Sequence, residues 1–464
     1  MARRTSHLTR VLEPLLPRRE RALIPAGMVT ILPRTARRVR GMEQTLMDTL
    51  GRWGYEEIIP PTFEYLDVLS AGLEPDVIEK CYTMSDRATG RVLLLRPDVT
   101  AQIARIVGMG MLGPQLPLRL SYRTTVFRYE PDHAGREREI FQVGAELIGV
   151  DDVAMDSEII ALMVDCLRDL GLTEFKISLG HVGFFRALLA QSGLSPEGQK
   201  RAEHAAARKD LPRLEEILTA ENVQKSKIRV IMEAPQLYGQ DEVLKRGRAL
   251  AGRDRVLRGA VDRLAQIYAL LEASGLKSNL LLDLGEFRGF EYYDGVVFEV
   301  FASGWGYELG GGGRYNHLIG RFGRDLPSTG FAFDVDRLFR ALEGRTEKSI
   351  GAQVDVLVCA TAARSAQAFH VARTLRQHGL RVMQRIAPDG DEASAKHMGA
   401  AGRLIGAPAI VSLNGRGKGF NDALVTFVAD GAPTRTIPKS GARKRITRRV
   451  SLDDLPGLLK PSCG

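Results

Sequence analysis

Residues 116–149 read LPLRLSYRTTVFRYEPDHAGREREIFQVGAELIG, and the fold turns on them. From Leu116 to Tyr129 and again from Ile140 to Gly149, apolar and polar residues alternate with the period of two that marks strands. The polar stretch from Pro131 to Arg138 between them predicts a long, arginine-bearing hairpin loop, so the two strands pair antiparallel. Arg128 and Glu130 then point to one face of the first strand, and Gln142 and Glu146 to one face of the second. If those faces coincide, an arginine, an amide and two carboxylates converge on one surface of a sheet. Unpaired polar groups are costly away from water. The surface is therefore either the solvent side of an antiparallel sheet or a pocket for a small zwitterion, where arginine suits a carboxylate and glutamate an ammonium or imidazole N–H. The alternation by itself leaves both open.

Outward from the hairpin, Val39, Met42, Leu46, Leu50 and Trp53 recur at steps of three and four, predicting an amphipathic helix from Arg34 to Trp53. A short strand from Glu57 is halted by Pro60 and Pro61. On the other side, a helix runs from Asp156 to Leu170, stopped by Gly171, and Phe175 to Leu179 returns as strand. Residues from about 186 to 275 are charged and helical and interrupt the strand-rich parts, as an insertion does. Strands resume at Asn279–Leu284 and Gly295–Ala302. After the polar linker 346–352, strand and helix alternate at Val354–Cys359, Ala366–His378, Arg381–Arg385, Ala393–Ile405 and Ala409–Leu413. The expectation is an α+β chain. A core domain spans 1–345 with its insertion, and a small α/β domain spans 353–464.

The 464 residues are 44% hydrophobic and 26% charged. They contain no apolar run near the ~18 residues that a membrane helix needs. The arginine-rich beginning lacks the apolar core of a secretory signal, so a cytoplasmic protein is expected. Cys81, Cys166, Cys359 and Cys463 are scattered, and the eight histidines show no metal-ligand spacing, so no metal, cofactor or disulfide framework is predicted. The net charge of +9 gathers at the two ends, as in Arg443, Lys444, Arg445, Arg448 and Arg449. Such runs are ordinarily solvated, with nucleic-acid contact as the alternative, and no aromatic residue interleaves the second of them to stack on bases.

Two further clusters stand out. Arg288-Gly289-Phe290-Glu291-Tyr292-Tyr293-Asp294-Gly295 offers a charge and phenolic hydroxyls beside glycines that permit close approach, or else it is a surface turn. Gly310-Gly311-Gly312-Gly313-Arg314-Tyr315 has the composition of a phosphate cradle without the Walker or dinucleotide spacing. A tightly packed sheet corner suits it equally.

Taken in order, five segments resemble the histidyl-tRNA synthetase family. They are Leu95–Ala101, Phe127–Glu130 with Gly135, Arg136 and Gln142, Arg288–Tyr293, Gly312–Tyr315, and Gly330–Arg337. The resemblance covers roughly residues 20 to 345. It implies a class II aminoacyl-tRNA synthetase-like fold, an antiparallel sheet flanked by helices, with the helix and strand of Arg34–Pro61 at a self-dimer interface. It implies that Asp98, Thr100 and Gln142 meet the amino end of histidine, that Arg288 meets its carboxylate, and that Glu146 and Tyr293 read the imidazole. Arg128 and Tyr292 join the same histidine-binding set.

The chain also departs from that family. Asp98 and Val99 replace a glutamate and a glycine, Ile140 stands where an aromatic residue stacks on adenine, and Asp334 replaces a glycine beside the polyphosphate. These changes weaken adenine stacking and oppose ATP electrostatically. They resemble instead the regulatory subunit of short-form ATP phosphoribosyltransferase, through Arg136-Glu137-Arg138-Glu139 and Gly144-Ala145-Glu146-Leu147-Ile148-Gly149. That likeness implies a non-catalytic subunit. It would assemble with a short catalytic subunit, needed for the first step of histidine biosynthesis, and convey feedback by histidine. Subunits of this kind usually end after the synthetase-like core, whereas residues from about 352 faintly resemble an anticodon-binding domain. A divergent histidyl-tRNA synthetase is the alternative.

Overall fold

The computed structural model describes residues 24–25, 27–129, 138–286, 292–343, 354–387, 407–413, 422–427 and 446–459. The chain divides into two compact units, Met1–Thr346 and Glu347–Gly464. Strands of the first unit are β1 (Glu56–Glu57), β2 (Phe63–Tyr65), β3 (Thr83–Ser85), β4 (Val92–Leu95), β5 (Leu118–Phe127), β6 (Glu139–Ile148), β7 (Phe175–His181), β8 (Tyr238–Gly239), β9 (Leu280–Asp283), β10 (Val296–Ala302), β11 (Glu308–Arg314) and β12 (Ser328–Asp334). Nine of them form one sheet in the order β1-β5-β6-β12-β11-β10-β7-β9-β8, and β2-β4-β3 form a small second sheet.

The hairpin lies where the alternation puts it. β5 and β6 pair antiparallel over ten residues each, with Leu120 opposite Glu146 and Thr124 opposite Gln142. Its loop falls outside the described residues. Pairing stays antiparallel from β6 through β12, β11 and β10 to β7, and the parallel pairs are β1–β5 and β7–β9. The strand expected from Glu57 to Pro61 shrinks to β1. Ile58 still donates to the Ser121 carbonyl at 2.8 Å, but Pro60 and Pro61 have no N–H to extend the ladder.

One face of the sheet carries Val143, Ala145 and Leu147 into a core shared with two helices, Pro33–Arg52 and Val153–Asp169. The first has Pro33 at its start and buries Val39, Leu46 and Leu50. The second is capped by Asp152, whose side chain accepts from Ala154 N, and Gly171 follows its end at φ +82°. The other face carries the helix Thr100–Gly108 and the candidate site.

The insertion links β7 to β9 as six helices, Val182–Ala190, Pro196–Ala207, Leu211–Ala220, Lys225–Glu233, Asp241–Ala251 and Arg255–Ala273, and lends β8 to the sheet edge. In the second unit β13 (Val356–Thr361), β14 (Val382–Ala387), β15 (Ala409–Ser412), β16 (Asp422–Phe427) and β17 (Ile446–Ser451) order as β14-β13-β15-β16-β17. The first three strands run parallel, as strand–helix alternation predicts, with the helix Ser365–Gln377 connecting β13 to β14. β16 and β17 add an antiparallel edge that the alternation did not foresee. Arg448 and Arg449 belong to β17 and stay exposed there, because an edge strand tolerates charge. The linker 346–352 and the helix expected near Ala393–Ile405 lie outside the described residues. No described helix is long and apolar enough to cross a membrane.

Candidate functional site

The register of the sheet builds the site. Residues opposite one another across the ladder share a face, so Leu120, Glu146, Gly330, Gly313 and Val297 form one row. Tyr122, Gly144, Ala332, Gly311 and Glu299 form the next, and Thr124, Gln142 and Asp334 a third. The middle of this surface is bare backbone. A Cβ on Gly330 would overlap the Glu146 carboxylate, one on Gly144 the Tyr122 hydroxyl, and one on Gly313 the Val296 carbonyl and the Tyr293 ring. The Gly310–Gly313 run is therefore the interior of β11 and not a phosphate loop.

Glu146 sits in this floor at 1% exposure. Thr100 donates to its Oε1 at 2.7 Å and the Tyr315 hydroxyl to its Oε2. Burial pushes its pKa up to about 8, with Asp98 adding repulsion and the two hydroxyls partly offsetting it. Asp98 is also buried, which raises its pKa, while Arg128, the Ala101 N–H at 2.8 Å and the Tyr292 hydroxyl favour its charged form. Arg128 donates from Nε to the Pro97 carbonyl at 2.7 Å, so it lies beside the turn that presents Asp98. Tyr292, Tyr293 and Tyr315 meet edge to face, with centroids 4.9 to 6.5 Å apart, and make an aromatic wall above Glu146.

The sequence-expected residues thus divide. Asp98, Thr100, Arg128, Glu146, Tyr292 and Tyr293 come together. Gln142 is on the same face two rows from Glu146, and its amide donates to Asp334 Oδ1 at 3.0 Å. Arg288, Glu130 and Arg136 lie outside the described residues. Sequence reading missed Tyr315, Tyr122 and Glu299 as members of the site. Tyr315 had a signal in the Gly-Arg-Tyr motif, but nothing local links it to Glu146, its partner across the sheet.

Around Asp334 a second group of carboxylates gathers. Asp334 accepts from Gln142 and faces Arg337 Nε at 3.2 Å. Arg337 also donates to the Glu308 side chain and carbonyl and has Glu299 nearby, so three carboxylates surround it. Asp336 accepts from the Phe141 N–H at 3.2 Å, and burial, together with Asp334, Glu139 and Glu43, raises its pKa to about 6. A polyphosphate brought here would meet a carboxylate wall whose arginine is already engaged.

A sequence profile of the histidyl-tRNA synthetase family matches residues 27–338. The ATP phosphoribosyltransferase regulatory subunit of Syntrophotalea carbinolica is 39% identical over 358 residues, 77% of this chain and 83% of that one. The chain belongs to this regulatory-subunit family. A second member, from Geobacter sulfurreducens, is 34% identical over 94% of this chain and 97% of its own length. With 94% of this chain aligned, the likeness to this member extends into the second unit. A solved structure described as an ATP phosphoribosyltransferase regulatory subunit/histidyl-tRNA synthetase, from Bacillus halodurans, superposes with a TM-score of 0.71 at 29% identity, covering 80% of this chain and 96% of that one. The class II fold with its antiparallel sheet and flanking helices is that of the family.

Proposed function

We propose that this chain is the non-catalytic regulatory subunit of a short-form ATP phosphoribosyltransferase, and that free histidine is the ligand of its pocket. The single observation that carries the reading is the contrast within one sheet face. The cluster of Asp98, Thr100, Glu146 and the tyrosine wall is intact, while Asp334 has taken both Gln142 and Arg337 beside it. The first arrangement offers carboxylates and phenols to an ammonium and an imidazole. The second withdraws the groups that would steady a nucleotide, so histidine is held without being activated. Arg128 and Arg288 supply the positive charge for the ligand carboxylate in this reading. Self-association runs through the helix Pro33–Arg52 and β1, beside which Ile59 stands 82% exposed.

The deciding experiment mixes the full chain with a short catalytic subunit and follows phosphoribosyl transfer to ATP. Activation that histidine then suppresses supports the proposal, and no activation sinks it. The alternative, a divergent synthetase, draws on the family profile. It requires histidine-dependent ATP–pyrophosphate exchange, which the carboxylates around Arg337 oppose.

A further inference from the structure

Three cations of the helical insertion reach out of it: one to the turn that carries Tyr293, one to β9, and one to the helix behind Arg314. Arg186, on the helix Val182–Ala190, donates from Nη1 to the Tyr293 carbonyl at 2.6 Å. Lys209 donates at 2.8 Å to Asp283, a nearly buried carboxylate at the end of β9. Arg263, on the helix Arg255–Ala273, donates from Nε and Nη2 to Asp156 Oδ2 at 3.0 and 2.7 Å. The other oxygen of Asp156 accepts from Arg314 Nε at 2.8 Å, and this Arg314–Asp156 pair is 1% and 0% exposed.

Arg314 leads directly into Tyr315, and it organises the turn that carries Tyr293. Its carbonyl accepts the Asp294 N–H at 3.0 Å, and its Nη1 donates to Asn316 Oδ1 at 3.0 Å. The Asn316 N–H in turn donates to Asp294 Oδ2 at 2.8 Å. Arg314 also packs beneath Gly295, where a Cβ would meet its stem at 3.0 Å. Tyr293 and Tyr315 thus belong to one hydrogen-bonded unit, and that unit is fastened to the insertion twice. Buried charge pairs hold geometry closely, because each lost partner leaves an uncompensated group behind.

We propose that the insertion is part of the ligand pocket, with Arg186 and Arg263 as positioning residues that hold the Tyr293 and Tyr315 hydroxyl wall against Glu146. Neither arginine touches the pocket ligand in this scheme. Arg186 orders the peptide of Tyr293, and Arg263 keeps Asp156 aligned on Arg314. The consequence for affinity rests on the reading of the pocket as a histidine site, while the consequence for the wall does not.

The test uses the full chain and the variants Arg186→Met, Arg186→Lys and Arg263→Met. Hydrogen exchange of the empty chain is followed in peptides covering residues 292–316, and L-histidine is titrated by calorimetry. Both methionine variants are expected to speed exchange in that segment and to weaken histidine roughly tenfold. The lysine variant, which keeps a donor for the Tyr293 carbonyl, is expected to regain most of the affinity. Should Arg186→Met fail to fold, Arg263→Met decides alone, because Arg314 remains on Asp156 in it. Unchanged exchange in the methionine variants overturns the proposal. A native chain that binds no histidine overturns the pocket reading instead, and the exchange comparison still stands.

Discussion

A carboxylate that is 1% exposed and takes hydroxyl hydrogens on both oxygens, as Glu146 does from Thr100 and Tyr315, is held in place more firmly than it is kept charged. Its pKa rises from 4.5 to about 8, and the sign of the resulting pH dependence follows. The folded value lies above the unfolded one, so folding takes up a proton between the two. The stability contributed by Glu146 is complete below pH 4.5, falls as pH rises, and is lost beyond about 8. Denaturant midpoints measured across that window should fall more steeply for the native chain than for Glu146→Gln, whose side chain keeps the shape without the proton. Equal slopes would mean that Glu146 is ionised throughout. At Asp334 the expectation concerns a ligand. Asp334→Gly frees Gln142, takes one of the three carboxylates from around Arg337, and should strengthen ATP binding, measured by calorimetry, roughly tenfold. No gain would show that the remaining acids suffice to exclude it.

Elements set how close the parts of the pocket come. β12 crosses β6 and β11 with Gly330 opposite both Glu146 and Gly313, and the strands leave no room for a methyl group there. Gly330→Ala would overlap the Glu146 carboxylate and should cost about 3 kcal/mol of folding stability, with loss of histidine binding as the second readout. Asp156 joins β11 to two helices, and Asp156→Ala strands Arg314 in the core. A loss of about 3 to 5 kcal/mol, visible in urea denaturation, is expected. The hairpin, the helix Val153–Asp169 and the helical insertion were legible because their signals are local: a period of two, a shared apolar face ended by Gly171, and a charged helical composition, although the Asp152 cap starts the helix three residues before the expected Asp156. The glycine run was not legible. Composition cannot tell a loop from a central strand, and what decides the matter is the backbone of β10 and β12 pressed against it. Tyr315, Glu299 and the insertion arginines escaped for the same reason, since their partners are many residues away. Gln142 and Glu146 were found because both lie on one strand.

Over the whole molecule, ligand and fold are coupled by mass action. A histidine that binds only the folded chain adds about 2.7 kcal/mol at a hundredfold excess over its Kd, so the melting temperature should climb with histidine concentration and not with its methyl ester if Arg128 meets the carboxylate. A scan without any shift would remove histidine as ligand.

The bare positions of β6, β11 and β12 bear on inheritance as well. Every missense change at Gly144, Gly313 or Gly330 installs a Cβ against backbone or a buried side chain, so those codons have no conservative neighbour. Gly41, Gly51 and Gly259 open on empty space, all three inside helices where alanine is the better residue. A saturation library selected for function should therefore be silent along the first set and richly populated along the second, drawing the outline of the pocket from survival alone.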